Sequence, residues 1–188
     1  MKFRLVYDGK LKGGQSKDAA HIHEIRKEFH RQLGVLWMTE PLKSFVDGIA
    51  DLGVMEVPSE FEVLASGGVK FLPIAQAKNH LLAELKILLL RPAPAGALLQ
   101  HGGDIDNRIK TLIDALRVPT PGEVAKLKLQ SQEEIFFCVL EDDKLVTSFA
   151  VEADTLLENG VDHQYCHAVI EVRLWASKVT MENLGLIS

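Results

Sequence analysis

Cysteine is scarce in this chain of 188 residues: only Cys138 and Cys166 occur, in apolar surroundings and without CxxC spacing. That argues against a disulfide framework and reads most simply as two buried free thiols in a reducing compartment, a Cys138–Cys166 disulfide staying open. Long apolar runs are missing too. The most hydrophobic stretch, Leu81 to Leu90, is broken by Glu84 and Lys86, so nothing approaches the ~20 residues of a membrane-spanning helix. Met1 to Lys10 alternates charge with apolarity and holds neither the h-region nor the cleavage site of a signal peptide. These absences lead us to expect a cytoplasmic protein with no membrane partner.

What is present is a globular composition, 47% hydrophobic and 25% charged, which excludes disorder as the main state. A chain of this size buries roughly 70% of its unfolded surface and needs no disulfide or structural metal to fold as one domain over 1–188. Net charge is −5, unevenly spread. Met1 to Arg31 carries eight Lys/Arg against four Asp/Glu, whereas Glu133 to Glu158 carries eight acids and one base, Lys144. A polyanion-facing region beside a metal-collecting one gives such a pattern, and so do solvated faces that happen to differ.

Met1 to Tyr7 has the two-residue period of a strand, and Gly9 to Gln15 reads as a basic loop. Ser16 then caps a helix running to about Trp37, with Ile22, Ile25, Phe29, Leu33 and Leu36 as its apolar stripe. Pro41 opens a short helix. Residues around Gly67-Gly68 suggest a small β-ribbon, and Leu81 to Leu90 alternates as a strand ending at Arg91-Pro92. Asp104 opens the clearest helix, to Leu116, with Ile105, Ile109, Leu112, Ile113 and Leu116 inward. Val118 to Glu134 reads as a mobile excursion. Ile135 to Leu140 and Lys144 to Val151 read as a hairpin around Glu141-Asp142-Asp143, and His167 to Trp175 closes the chain as a strand. The fold expected is α+β, a mixed sheet of four or five strands packed by two main helices.

Asp104, Asp106, Asn107, Lys110 and Asp114 form the strongest chemical constellation, with Asp142 and Asp143 some thirty residues on. Asp106, Lys110 and Asp114 are spaced by four and share a helix face, and a hairpin turn packed against it would complete a carboxylate cluster. Clustered carboxylates stay ionised when a divalent cation sits among them, and Mg²⁺ prefers such hard oxygen ligands. Mn²⁺ is an alternative occupant. Each residue also has an ordinary structural role: Asp104 as an N-cap, Asp106 as a first-turn acid, Asp106 and Lys110 as a surface ion pair, and Glu-Asp-Asp-Lys as a turn.

The string GGDIDNRIKTLIDAL, followed by LEDDKLV before a strand, resembles the RusA-type crossover-junction endodeoxyribonucleases, over about residues 102 to 150. The resemblance implies a small α+β fold and a homodimer that nicks four-way DNA junctions with Mg²⁺. It puts metal-binding carboxylates on Asp104, Asp106 and Asp143 and an essential lysine on Lys110. Asn107, Asp114 and Asp142 match positions of supporting role. Three features depart from that family: an inserted element at about 38–79, an enlarged loop at 118–134, and the acidic net charge. Binding a junction then requires cations gathered on one face, and Lys10, Lys12, Lys17, Lys27, Arg31 and Arg108 are the candidates. A non-catalytic nucleic-acid-binding or oligomeric scaffold protein with the same fold is the second expectation. His21, His23 and His30 read as surface residues or phosphate contacts, since His21 and His23 diverge by about 200° on a helix.

Overall fold

The computed structural model describes residues 1–12, 18–46, 59–92, 104–127, 135–158, 160–181 and 183–187. In chain order the elements are β1 (Lys2–Lys10), α1 (Ala19–Trp37), α2 (Lys43–Val46), β2 (Leu64–Ser66), β3 (Val69–Ala75), β4 (Leu81–Arg91), α3 (Asp104–Leu116), α4 (Pro121–Leu127), β5 (Phe136–Leu140), β6 (Val146–Thr155) and β7 (Tyr165–Ala176). Among the described residues no helix is long and apolar enough to cross a membrane.

The fold is α+β, with the described strands in two sheets rather than one. The larger has the order β1-β7-β4-β6 and the smaller β2-β3-β5. In the larger, β7 runs antiparallel to β1 and β4, while β6 runs parallel to β4. In the smaller, β2 is antiparallel and β5 parallel to β3. The expected hairpin between β5 and β6 does not form, because the two strands lie in different sheets. A 3-10 turn, Asp143–Leu145, carries the chain from one to the other. The stretch 38–79, read as an insertion, contains α2, β2 and β3, and supplies Phe61, Leu72 and Ile74 to the main core.

Strict alternation explains β4 and β7: Leu85, Ile87, Leu89, Ile170 and Val172 all point inward and are buried. Burying each such side chain contributes about 1.5–3 kcal/mol. Opposite them lies α1, whose Ile25, Phe29, Leu33 and Trp37 recur at helical spacing. Its N-cap is Asp18, which accepts the His21 N–H at 3.1 Å, while Ser16 lies outside the described residues. Cys138 and Cys166 are buried free thiols, and burial pushes both up to about 12.

Residues 121–127, expected to be loop, are the helix α4. Thr120 and Glu123 cap it reciprocally: the Thr120 N–H donates to Glu123 Oε2 at 2.8 Å and the Glu123 N–H to Thr120 Oγ1 at 3.3 Å. Val124 of α4 packs on Val69, Phe71, Phe136 and Cys138, a second, smaller core beneath the three-stranded sheet.

Candidate functional site

Helix α3 has a different buried face from the one its aliphatic stripe suggests. Ile109, Leu112 and Leu116 are buried as expected, but so are Ala115, Arg108 and Asp114, whereas Ile105 and Ile113 are half-buried. The reason lies in α1: Arg26 enters the interface and donates to the carbonyls of Asp114 at 2.7 Å and Arg117 at 3.2 Å, satisfying acceptors that the end of α3 leaves open. Asp114, 3% exposed, accepts from Arg117 Nε at 2.9 Å, and Arg117 also grips both oxygens of Glu123 at 2.8 and 3.0 Å. Burial opposes the Glu123 carboxylate, but the Arg117 bonds and the Thr120 N–H outweigh it and hold Glu123 at about 2.

This leaves Asp106 and Lys110 exposed on successive turns of α3. They face a hollow of about 590 Å³ whose far side is formed by Asp143 and the start of β6, with Asp114 at its inner end. The Glu-Asp-Asp run divides its labour. Glu141 accepts the Ala77 N–H at 2.7 Å, and Asp142 caps the 3-10 turn by accepting the Lys144 N–H at 3.0 Å. Asp143 is the member of the run that lines the hollow. Asn107 is half-buried, and its carbonyl accepts the Thr111 hydroxyl at 2.8 Å. Asp104 is the first residue of α3, and its side chain lies outside the described set.

Four of the residues expected from sequence thus share one hollow: Asp106, Lys110, Asp114 and Asp143. Among the described residues no three His, Cys, Asp or Glu side chains stand close enough together to hold a metal ion. The donor set itself suits a hard cation, since Asp106 and Asp143 offer oxygen from facing elements, and Mg²⁺ is commonly held by one or two carboxylates with water filling the rest. Asp114 is a poor further ligand because its carboxylate is committed to Arg117.

The proposed DNA contacts are not gathered. Lys10 pairs with Asp162 at 2.7 Å, Lys12 with Asp18 at 3.0 Å, Lys27 with Glu24 at 2.8 Å and Arg31 with Glu28 at 3.4 Å, all exposed. Lys17 lies outside the described residues. Arg108 is no surface cation: it is 4% exposed and its guanidinium donates to the Leu11 carbonyl. Lys10 ends β1, at the opposite edge of the larger sheet from β6, about 14 Å away at ordinary strand spacing. Two histidines also depart from expectation. His23 is 5% exposed beside Phe136, and His30 stacks on Phe136 while accepting the Phe137 N–H at 2.9 Å.

The apolar side of the hollow, made by Ile105, Ile113, Val146, Phe149 and Val151, has no motif in the sequence that marks it as part of a site. Alternation in β6 puts Phe149 and Val151 on one face, a signal the sequence carries; that Phe149 stays 58% exposed there is not one. No family model, curated protein or solved structure matches the chain.

Proposed function

We propose that this chain is a Mg²⁺-dependent endodeoxyribonuclease acting on branched DNA, with the four-way junction as its substrate and two copies acting together in the cytoplasm. One observation carries the reading: Asp106 and Lys110 on adjacent turns of α3 and Asp143 at the entry to β6 open into the same hollow. Asp106 and Asp143, with Asp104 two residues earlier at the start of α3, are the residues that would hold the cation. When bound, such an ion lowers the pKa of a coordinated water and stabilises the leaving oxygen of a phosphodiester. Mn²⁺ offers the same chemistry. Lys110 brings an ammonium to the rim, where it offsets charge developing on the phosphorane oxygens. Arg117 keeps the Asp114 charge compensated, so the inner end of the hollow does not repel a phosphate.

The test is incubation of the purified protein with a labelled synthetic four-way junction and a matched duplex, in Mg²⁺ or EDTA, beside Asp106→Asn. Nicks on the junction alone, lost in EDTA and reduced more than about 100-fold by the substitution, are expected. Wild type that never nicks, or Asp106→Asn that nicks normally, overturns the reading. A second reading is a binding protein without catalysis that keeps the same fold. It predicts junction binding indifferent to EDTA and no nicking.

A further inference from the structure

The two edges of the larger sheet differ. At β1 the Gln32 carboxamide, from α1, accepts the Val6 N–H at 2.9 Å and donates to the Val6 carbonyl at 2.7 Å, plugging the middle of that edge as another strand would. β6 pairs with β4 on one side and, among the described residues, has no strand on the other. Residues 147 to 150 are all exposed. Phe149 is 58% exposed although it lies on the face that buries Leu5 and Tyr7 under helices at the other edge. Ten residues long, with no proline, lysine or arginine and no charge before Glu152, β6 lacks most devices by which edge strands avoid pairing.

We propose that β6 is the seam of a twofold homodimer, in which the β6 strands of two copies pair antiparallel about Ala150. Because the β1 edge is plugged, head-to-tail addition of copies is blocked; like pairs with like, and assembly closes at two. Charge and overlap select the register. Centring on Glu152, Ala153 or Asp154 sets carboxylates against carboxylates. Centring on Ala150 pairs residues 146 to 154 throughout, with Glu152 opposite Ser148 and Asp154 opposite Val146. It also brings Phe149 of each copy across from Val151 of the other, an aromatic and β-branched pair that covers the exposed ring. The two hollows then lie on one face of a continuous sheet, and each gains Phe149 and Val151 of the second copy along its open apolar side. The inference deepens the two-copy reading above and rests on it only for the use made of the seam.

Ala150→Cys tests it. Directly opposed residues in an antiparallel pair have Cα atoms about 4.5–5.5 Å apart, within reach of a disulfide. Cys138 and Cys166 are buried and do not compete. Oxidation is expected to yield a covalent dimer on a non-reducing gel. Glu152→Cys alone is expected not to cross-link, its two copies standing about 14 Å apart along the strands, but to cross-link when mixed with Ser148→Cys. Wild type at about 0.1 mM should scatter light as a dimer, and Phe149→Lys, with its circular dichroism unchanged, as a monomer. A monomeric wild type, or a dimer that cross-links through Glu152→Cys but not Ala150→Cys, overturns the seam. A cross-linked dimer that nicks no DNA overturns the nuclease reading alone; a monomer that nicks junctions overturns the seam alone.

Discussion

His23 is a buried imidazole on α1 whose Nδ1 finds no hydrogen-bond partner among the described residues. Burial, helped by the charges of Arg26 and Lys27, pulls it down to about 4. The folded protein therefore keeps His23 neutral where the unfolded chain, with an ordinary histidine near 6.5, has taken up a proton. Stability from this group is fully present above about pH 6.5 and is lost as pH falls toward 4. Urea midpoints measured from pH 7 to 4 should fall with pH, and His23→Phe should flatten that part of the profile. Arg117 gives a second prediction at this scale. Replacing it by Met strands the buried Asp114 and half-buried Glu123 carboxylates, and about 3–5 kcal/mol of unfolding free energy should be lost in denaturant titration. The same residues show what spacing conveys. That Asp106 and Lys110 share a helix face is a property of 3.6 residues per turn. That Arg26 caps the Asp114 carbonyl depends on α1 arriving from elsewhere in the chain, whereas the Asp114–Arg117 ion pair spans only three residues.

Among the elements, α4 has a local signal in the sequence: Thr120-Pro121-Gly122-Glu123 carries a capping box with proline at the first helical position. Its docking depends on Gly67, which turns the β2–β3 ribbon with φ of +56°. A Cβ built there would sit 2.5 Å from Val124 Cγ1. Gly67→Ala should cost about 1–3 kcal/mol in chemical denaturation, and Val124→Ala in the same chain should recover part of it. By contrast, the β5–β6 separation had no local signal. A tight acidic turn between two apolar runs reads as a hairpin, and here β5 is drawn away by its parallel pairing with β3, which sequence distance conceals.

At the scale of the whole molecule, Lys10, Lys12, Lys27 and Arg31 each stand within ion-pair distance of an acid, so among the described residues the basic segment Met1–Arg31 carries its cations already paired. A true phosphate contact changes the salt dependence of binding, whereas a structural cation changes stability. Arg108→Ala should lower the melting temperature and leave the salt slope of junction binding unchanged. Lys27→Ala should leave the melting temperature within a few degrees and reduce that slope by about 1 if the α1 face meets DNA. Both slopes come from binding titrations between low and moderate salt.

Periodicity and spacing are carried by the covalent chain, and they determined α1, α3, the alternating strands β1, β4 and β7, the buried thiols, and the shared face of Asp106 and Lys110. Each of these follows from which side of an element a residue must occupy. The tertiary structure decided which side is covered and by what: two sheets instead of one, Arg108 turned inward, Arg26 set against the end of α3, and Phe149 left in the open beside Asp143. Those outcomes depend on contacts between segments far apart in sequence, whose free energies come from packing and desolvation that no local pattern encodes.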